Sequence, residues 1–252
     1  MEINLEKAKE EFIEYTKNYD LQNYHIKGKQ EHSLRVMQIS KQIAEGLNLS
    51  QDEIELAALI GLLHDIARFE QYTQYATYKD WESFDHGDIG AEILQKDMRK
   101  YIETNEYDEL ILKSVKNHNK FEIEKGLTEK ELIQAQIIRD ADKIDILSQA
   151  VTRFWNGKEE LVENSKVSQD VVEQIKNYSL VKRRKEETPV ENVMSVIGFI
   201  FDINFKTSFQ SIKQEDCINK ILDRYNFKDE YTKQSIEEVR KIANQYIEKS
   251  TK

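Results

Sequence analysis

The chain has 252 residues and a formal net charge of −10, with 39% hydrophobic and 33% charged residues, eight glycines, one proline and one cysteine. That length accommodates one domain or two, and the lone Cys217 excludes an intramolecular disulfide framework and a cysteine-based zinc site. The acidic balance argues against duplex nucleic acid as a partner, which needs a positive footprint, but not against a small phosphorylated substrate that needs only local positive charge. No apolar run is long enough to span a bilayer, and residues 1–6 lack the basic start and apolar block of a signal peptide. The expectation is a cytoplasmic chain with no membrane partner, mostly helical because glycine and proline are scarce.

Taken in chain order, residues 3–19 read as an amphipathic helix containing Leu5, Phe12, Ile13 and Tyr15. A looser stretch, 20–28, precedes a helix over about 30–45, where His32, Val36, Ile39 and Ile43 share one face. Gly46 is placed to end it. Ser50 and Glu53 form a capping box that opens a helix reaching about Ala67, apolar on most sides as in the buried centre of a bundle. Residues 70–85 are aromatic and polar without periodicity and read as a long loop, packed over the bundle mouth. Helices are expected from His86 to about Glu103, from about Tyr107 to Asn117, and from the Thr128 cap to about Ala150. Residues 156–188 read as a polar connection in which Lys182, Arg183, Arg184 and Lys185 are solvated. Apolar helix over 190–206 and amphipathic helices near 215–225 and 229–248 complete the chain. No strand pattern emerges. The expected fold class is all-α, with a core over 1–150 and a C-terminal helical extension over 151–252 packed on it.

The chemistry-bearing residues are sparse. The five histidines are His25, His32, His64, His86 and His118. The pair His64-Asp65 closes an apolar helix, where an ionised carboxylate needs an ion pair or a metal. His32 sits on an apolar helix face, and Asp140 follows Ile137 and Ile138. Three separate helices thus offer His or Asp from apolar faces, which is how helix bundles build metal sites. His32, His64, Asp65 and Asp140 would complete a mononuclear site. His86 and His118 add nitrogen ligands, and Asp65 could then bridge two metals. A mixed imidazole and carboxylate set suits manganese, iron, nickel or zinc better than calcium.

The order His32, His64-Asp65, His86, His118, Asp140, with its flanking segments 31–36, 61–70 and 139–143, resembles the HD-domain superfamily of metal-dependent phosphohydrolases. The resemblance covers about residues 25–150. It implies an all-α HD helical bundle with the metal site at its centre, and His86 and His118 match the variants that bind two metals. It implies cleavage of a phosphoester of a nucleotide or other small phosphorylated substrate by metal-activated hydroxide. Ala67 stands where the His-Asp-x-Gly-Lys signature of cyclic-dinucleotide phosphodiesterases has glycine, and Arg68 where it has lysine.

Two further residues receive roles. Arg68 could bind a phosphoryl oxygen through two donors. Lys143, one turn after Asp140, could contact substrate or protonate the leaving group. The simpler reading of each is an ion pair with a neighbouring acid. Lys29, three residues before His32, could face the same cavity, although a solvated lysine is the plainer reading; His25 matches no motif position. Two alternatives stand beside the hydrolase: a mixed-valent di-iron oxygenase on the same scaffold, and a non-catalytic nucleotide-sensing module. The chain is expected to act as a monomer or homodimer.

Overall fold

A computed structural model describes residues 3–252. Met1 and Glu2, the start of the stretch read for a leader, lie outside the described residues. The chain forms two compact units, Met1–Asp142 and Lys143–Lys252. Both are built from helices, and no strand occurs among the described residues. No described helix is long and apolar enough to cross a membrane.

The first unit contains α1 (Leu5–Thr16), α2 (Tyr24–Gly46), α3 (Gln51–Leu63), α4 (Arg68–Tyr75), α5 (His86–Tyr101) and α6 (Asp108–Asn117), with α7 (Glu129–Thr152) beginning in it. A short 3-10 turn, Asp80–Glu82, lies between α4 and α5. The centre is α3, in which every residue from Leu56 to Leu63 is buried. Each large side chain so buried contributes about 1.5–3 kcal/mol of hydrophobic stabilisation. The Ser50/Glu53 capping box forms as expected. Helix α2 starts earlier than its apolar stripe suggests, because Asn23 caps it by accepting from the His25 amide. It ends at Gly46, two residues before Asn48, which takes the left-handed conformation.

Two expectations are corrected around the His64-Asp65 pair. The apolar helix stops at Leu63, and residues 64–67 form a turn. The first half of the expected 70–85 loop is helix α4. Its anchors are Phe69 and Gln71, both fully buried. Phe69 packs against Phe12, Tyr15 and Tyr19 of the α1 region at ring-centroid distances of 5.9, 6.0 and 5.6 Å. Gln71 Nε2 donates to Asp80 Oδ1, Ser83 Oγ and the Phe84 carbonyl, and so orders the following segment. Two anchors in eight residues produce no readable period, which is why the sequence does not reveal this helix.

The second unit contains α8 (Glu159–Glu163), α9 (Gln169–Lys176), α10 (Pro189–Ile197), a 3-10 turn at Gly198–Asp202, α11 (Lys206–Glu215), α12 (Cys217–Leu222) and α13 (Glu230–Ser250). The polar segment 156–188 therefore holds two helices, anchored by the buried Val162, Val167, Val171, Val172 and Ile175. Arg184 is not merely solvated: its guanidinium bonds Ser168 Oγ at 2.8 Å and pairs with the buried Glu191. Glu191 also closes the capping box with Thr188 that starts α10.

Candidate metal centre

The site is assembled by close approach of helix backbones. Gly61 of α3 lies so near α2 that a Cβ there would meet Ser40 Oγ at 2.6 Å and the Val36 carbonyl at 2.9 Å. This contact sets His64, one turn beyond Gly61, beside His32, one turn before Val36. At the other side Gly87 of α5 lies against the end of α6, where a Cβ would meet Asn119 Oδ1 at 2.4 Å and the Lys116 carbonyl at 3.0 Å. That contact brings His86 to His118.

Two groups of donors converge on this region, each with its ligand atoms within 4.8 Å of one another: His32, His64 and Asp142, and His64, Asp65 and His118. His32 Nε2 lies 3.2 Å from His64 Nε2 and 3.1 Å from Asp142 Oδ1. His86 Nε2 lies 3.0 Å from His118 Nε2 and 3.4 Å from Asp65 Oδ1. Asp65 stands between the pairs, with Oδ2 3.5 Å from both His32 and His64 and Oδ1 3.6 Å from His118.

The outer hydrogen bonds fix which nitrogen faces inward. His64 Nδ1 donates to the Gly61 carbonyl at 2.8 Å and His118 Nδ1 to the Val115 carbonyl at 2.6 Å. His86 Nδ1 donates to the Asp80 carboxylate at 2.7 Å. Each ring therefore carries its proton on Nδ1 and presents the Nε2 lone pair to the centre, the arrangement that outer partners impose on metal-binding imidazoles. Burial pushes the imidazolium of His64 down to about 3 and that of His86 down to about 4, so neither ring holds a second proton at neutral pH. Burial also opposes ionisation of Asp65, but the Lys29 ammonium and the Arg68 guanidinium beside it outweigh that and hold its carboxyl well below the usual range. Asp142 is likewise held low against its own desolvation, by the hydrogen bond to His32.

This donor set fits a divalent cation. The His86 and His118 lone pairs, facing each other at 3.0 Å, repel unless a positive charge lies between them. Asp65 Oδ1 is buried and accepts no hydrogen bond, the Arg68 guanidinium lying 3.4 Å away, so this oxygen keeps lone pairs open to a cation.

Five of the six ligands expected from sequence, His32, His64, Asp65, His86 and His118, come together here. The sixth does not. Asp142, rather than Asp140, is the carboxylate grouped with His32 and His64. Both aspartates lie on α7, and two residues rotate a helix by about 200°, so only one of them can face the cluster. Asp140 is fully buried elsewhere on the helix.

Arg68 reaches the site, but Nη1 bonds Gln71 Oε1 at 2.6 Å, the Tyr78 carbonyl at 2.6 Å and Asp80 Oδ1 at 3.1 Å. Its Nε lies 3.4 Å from Asp65 Oδ1. Lys143 belongs to the second unit, where its ammonium pairs with Asp202 Oδ2 at 2.8 Å. In the aromatic segment His25 stacks on Tyr72, and Tyr72 meets Tyr78, each at 4.8 Å between centroids.

Three contributors had weaker signals in the sequence. Lys29 is no solvated lysine: its ammonium lies 2.7 Å from Asp65 Oδ2. Spacing by three from His32 was the available clue. Asp80 sits in an aperiodic segment, and only the tertiary structure shows that it holds His86. Arg139 is 1% exposed, and its guanidinium donates to the carbonyls of Asn117, His118, Lys120 and Phe121. It pins the segment that carries His118.

The model of the family described as HD domain matches residues 30–147. Neither a comparison with curated proteins nor one with solved structures finds a match. All of the converging histidines and aspartates fall within the span that matches the HD domain family.

Proposed function

We propose that the chain is a metal-dependent phosphohydrolase that cleaves a phosphoester of a small phosphorylated substrate, a nucleotide being the leading class. The observation that carries this reading is the convergence of inward imidazole lone pairs on Asp65 Oδ1, a buried oxygen that accepts no hydrogen bond. HD domains form a superfamily of metal-dependent phosphohydrolases, which supports it.

In this proposal His32, His64, Asp65 and Asp142 hold one divalent transition metal, and Asp65, His86 and His118 contribute to a second. Manganese, iron, nickel and zinc all suit such donors. A metal so bound supplies Lewis acidity toward a phosphoryl oxygen and lowers the pKa of water. The chain's own residues do the positioning. Asp80 keeps the His86 proton on Nδ1, and the Gly61 and Val115 carbonyls do the same for His64 and His118. Arg68 braces Asp80 and the Tyr78 carbonyl, so it is proposed as a positioning residue rather than a phosphoryl clamp. Lys143 is paired with Asp202 and is given no step.

The test is a phosphoester panel run on the full chain with manganese, iron, nickel, zinc and magnesium in turn. It would contain nucleoside mono- and triphosphates, cyclic mono- and dinucleotides, and an aryl phosphate. Metal-dependent release of phosphate or nucleoside is expected. Oxygen uptake with iron and no hydrolysis would replace this reading by the oxygenase. Tight nucleotide binding without turnover would replace it by the sensor.

A further inference from the structure

The metal-binding reading leaves one cation without a role. Lys29 lies on α2 one turn before His32, and its ammonium bonds Asp65 Oδ2 at 2.7 Å. The tip of its side chain also lies 5.4 Å from the Tyr78 ring centroid, which steadies it. The Lys29 side chain is 20% exposed, whereas those of His32, His64, His86, His118 and Asp65 are 7% exposed or less. Lys29 therefore stands, with the 17% exposed Asp142, at the accessible rim of an otherwise buried cluster. Arg68, the other cation beside Asp65, is committed through Nη1 to Gln71, the Tyr78 carbonyl and Asp80.

We propose that Lys29 is the phosphoryl-binding residue of this site, its ammonium passing from Asp65 to a non-bridging oxygen of the substrate phosphate. The inference rests on the phosphohydrolase reading for its substrate, but its argument is electrostatic. A carboxylate that shares its charge with a metal holds a neighbouring ammonium less strongly. The ammonium then lies at the rim with a weakened partner, next to where a phosphoryl group must approach the metal ligands. A phosphate oxygen offers it a charge-assisted hydrogen bond in place of the one it loosens. An exposed lysine that only solubilised the surface would not be aimed at the central carboxylate.

The experiment compares wild type, Lys29→Met and Lys29→Arg as full chains, with folding checked by circular dichroism. Calorimetry measures manganese binding to chelator-stripped protein, then inorganic phosphate binding to the manganese-loaded protein. Lys29→Met is expected to bind manganese as tightly as wild type or more tightly, because a competing positive charge is gone. It is expected to bind phosphate about ten- to a hundredfold more weakly, the range of one charge-assisted bond. Lys29→Arg is expected to recover most of the phosphate affinity.

Unchanged phosphate affinity in Lys29→Met overturns the inference, as does a wild type that binds no phosphate when loaded. Parallel loss of manganese and phosphate overturns it too, since Lys29 would then only support Asp65. A wild type that binds phosphate through Lys29 yet hydrolyses no ester upholds this inference and sinks the hydrolase reading. Ester hydrolysis with an unchanged KM in Lys29→Met does the reverse.

Discussion

His86 Nε2 and His118 Nε2 face each other across 3.0 Å, while the Nδ1 proton of one is held by Asp80 and that of the other by the Val115 carbonyl. Two imidazoles so oriented have only lone pairs to offer the space between them. In the proposed metal site Asp80 would thus be a determinant of metal binding although it sits outside the cluster. Asp80→Ala should weaken metal affinity or activity by about 10- to 100-fold, the usual cost of losing an outer partner of a ligating histidine. Asp80→Asn, which still offers an acceptor, should lose less. Equal affinity in Asp80→Ala and wild type, measured by metal titration, would contradict the assignment.

Asp140 and Asp142 make opposite predictions. Asp142→Asn should lower the metal content of folded protein, because Asp142 Oδ1 lies 3.1 Å from His32 Nε2. Asp140→Asn should keep the metal content and show its effect in stability, as the side chain is fully buried. Elemental analysis of both variants after purification decides between them. Metal loss in Asp140→Asn alone would restore the assignment suggested by sequence.

Arg139 should behave as a structural clamp on the His118 segment. Arg139→Met leaves the carbonyls of Asn117, His118, Lys120 and Phe121 without this donor. Orphaned buried acceptors cost about 1–3 kcal/mol each, partly relieved by relaxation, so a total near 3 kcal/mol is expected. For a chain of this size that corresponds to roughly 6–12 °C in Tm. Differential scanning fluorimetry reads it, and a shift below about 2 °C would contradict the clamp.

Acidification should destabilise the metal-free protein. His64 and His86 are held near 3 and 4 in the folded state, against an ordinary value of 6.5. The unfolded chain therefore binds more protons below about pH 6.5, and stability falls with pH through that window. The contribution is fully present above pH 6.5, and is lost through about 4 for His86 and about 3 for His64. The depressed Asp65, Asp80 and Asp142 carboxyls act in the same direction at lower pH. Urea midpoints measured in chelator from pH 8 down to pH 4 should fall steadily below about 6.5. A flat profile would show that these rings are not held neutral.

Cys217 gives a prediction for the second unit. Burial, with Glu215 beside it, pushes its thiol up to about 12. At pH 8 only about one thiol in ten thousand is then ionised, against roughly a quarter for a free cysteine. Iodoacetamide should label native protein far more slowly than protein in urea, as read by intact mass. Comparable rates would contradict the burial.

The contrast between legible and hidden parts of the site follows from physical pattern. His32, His64, Asp65, His86 and His118 stand out in the sequence because each is a polar residue on an apolar face or at a helix end. Asp142 does not, because Asp140 is two residues away in the same apolar setting and only the helical phase separates them. Lys29 looks like any surface lysine until Asp65 is seen to be its partner. Asp80 acts through a contact between a 3-10 turn and α5, which has no period to read. The helices α8 and α9 are hidden for a similar reason, since a few buried valines are diluted by polar neighbours.

These histidines and aspartates are proposed to hold a metal. The most direct test is elemental analysis of the full chain purified without added metal and again after reconstitution, beside Asp65→Asn treated identically. The expected result is one to two equivalents of manganese, iron, nickel or zinc per wild-type chain, and a clear loss in the variant. Wild-type protein that holds no metal after reconstitution, or a variant that retains the full complement, would contradict it.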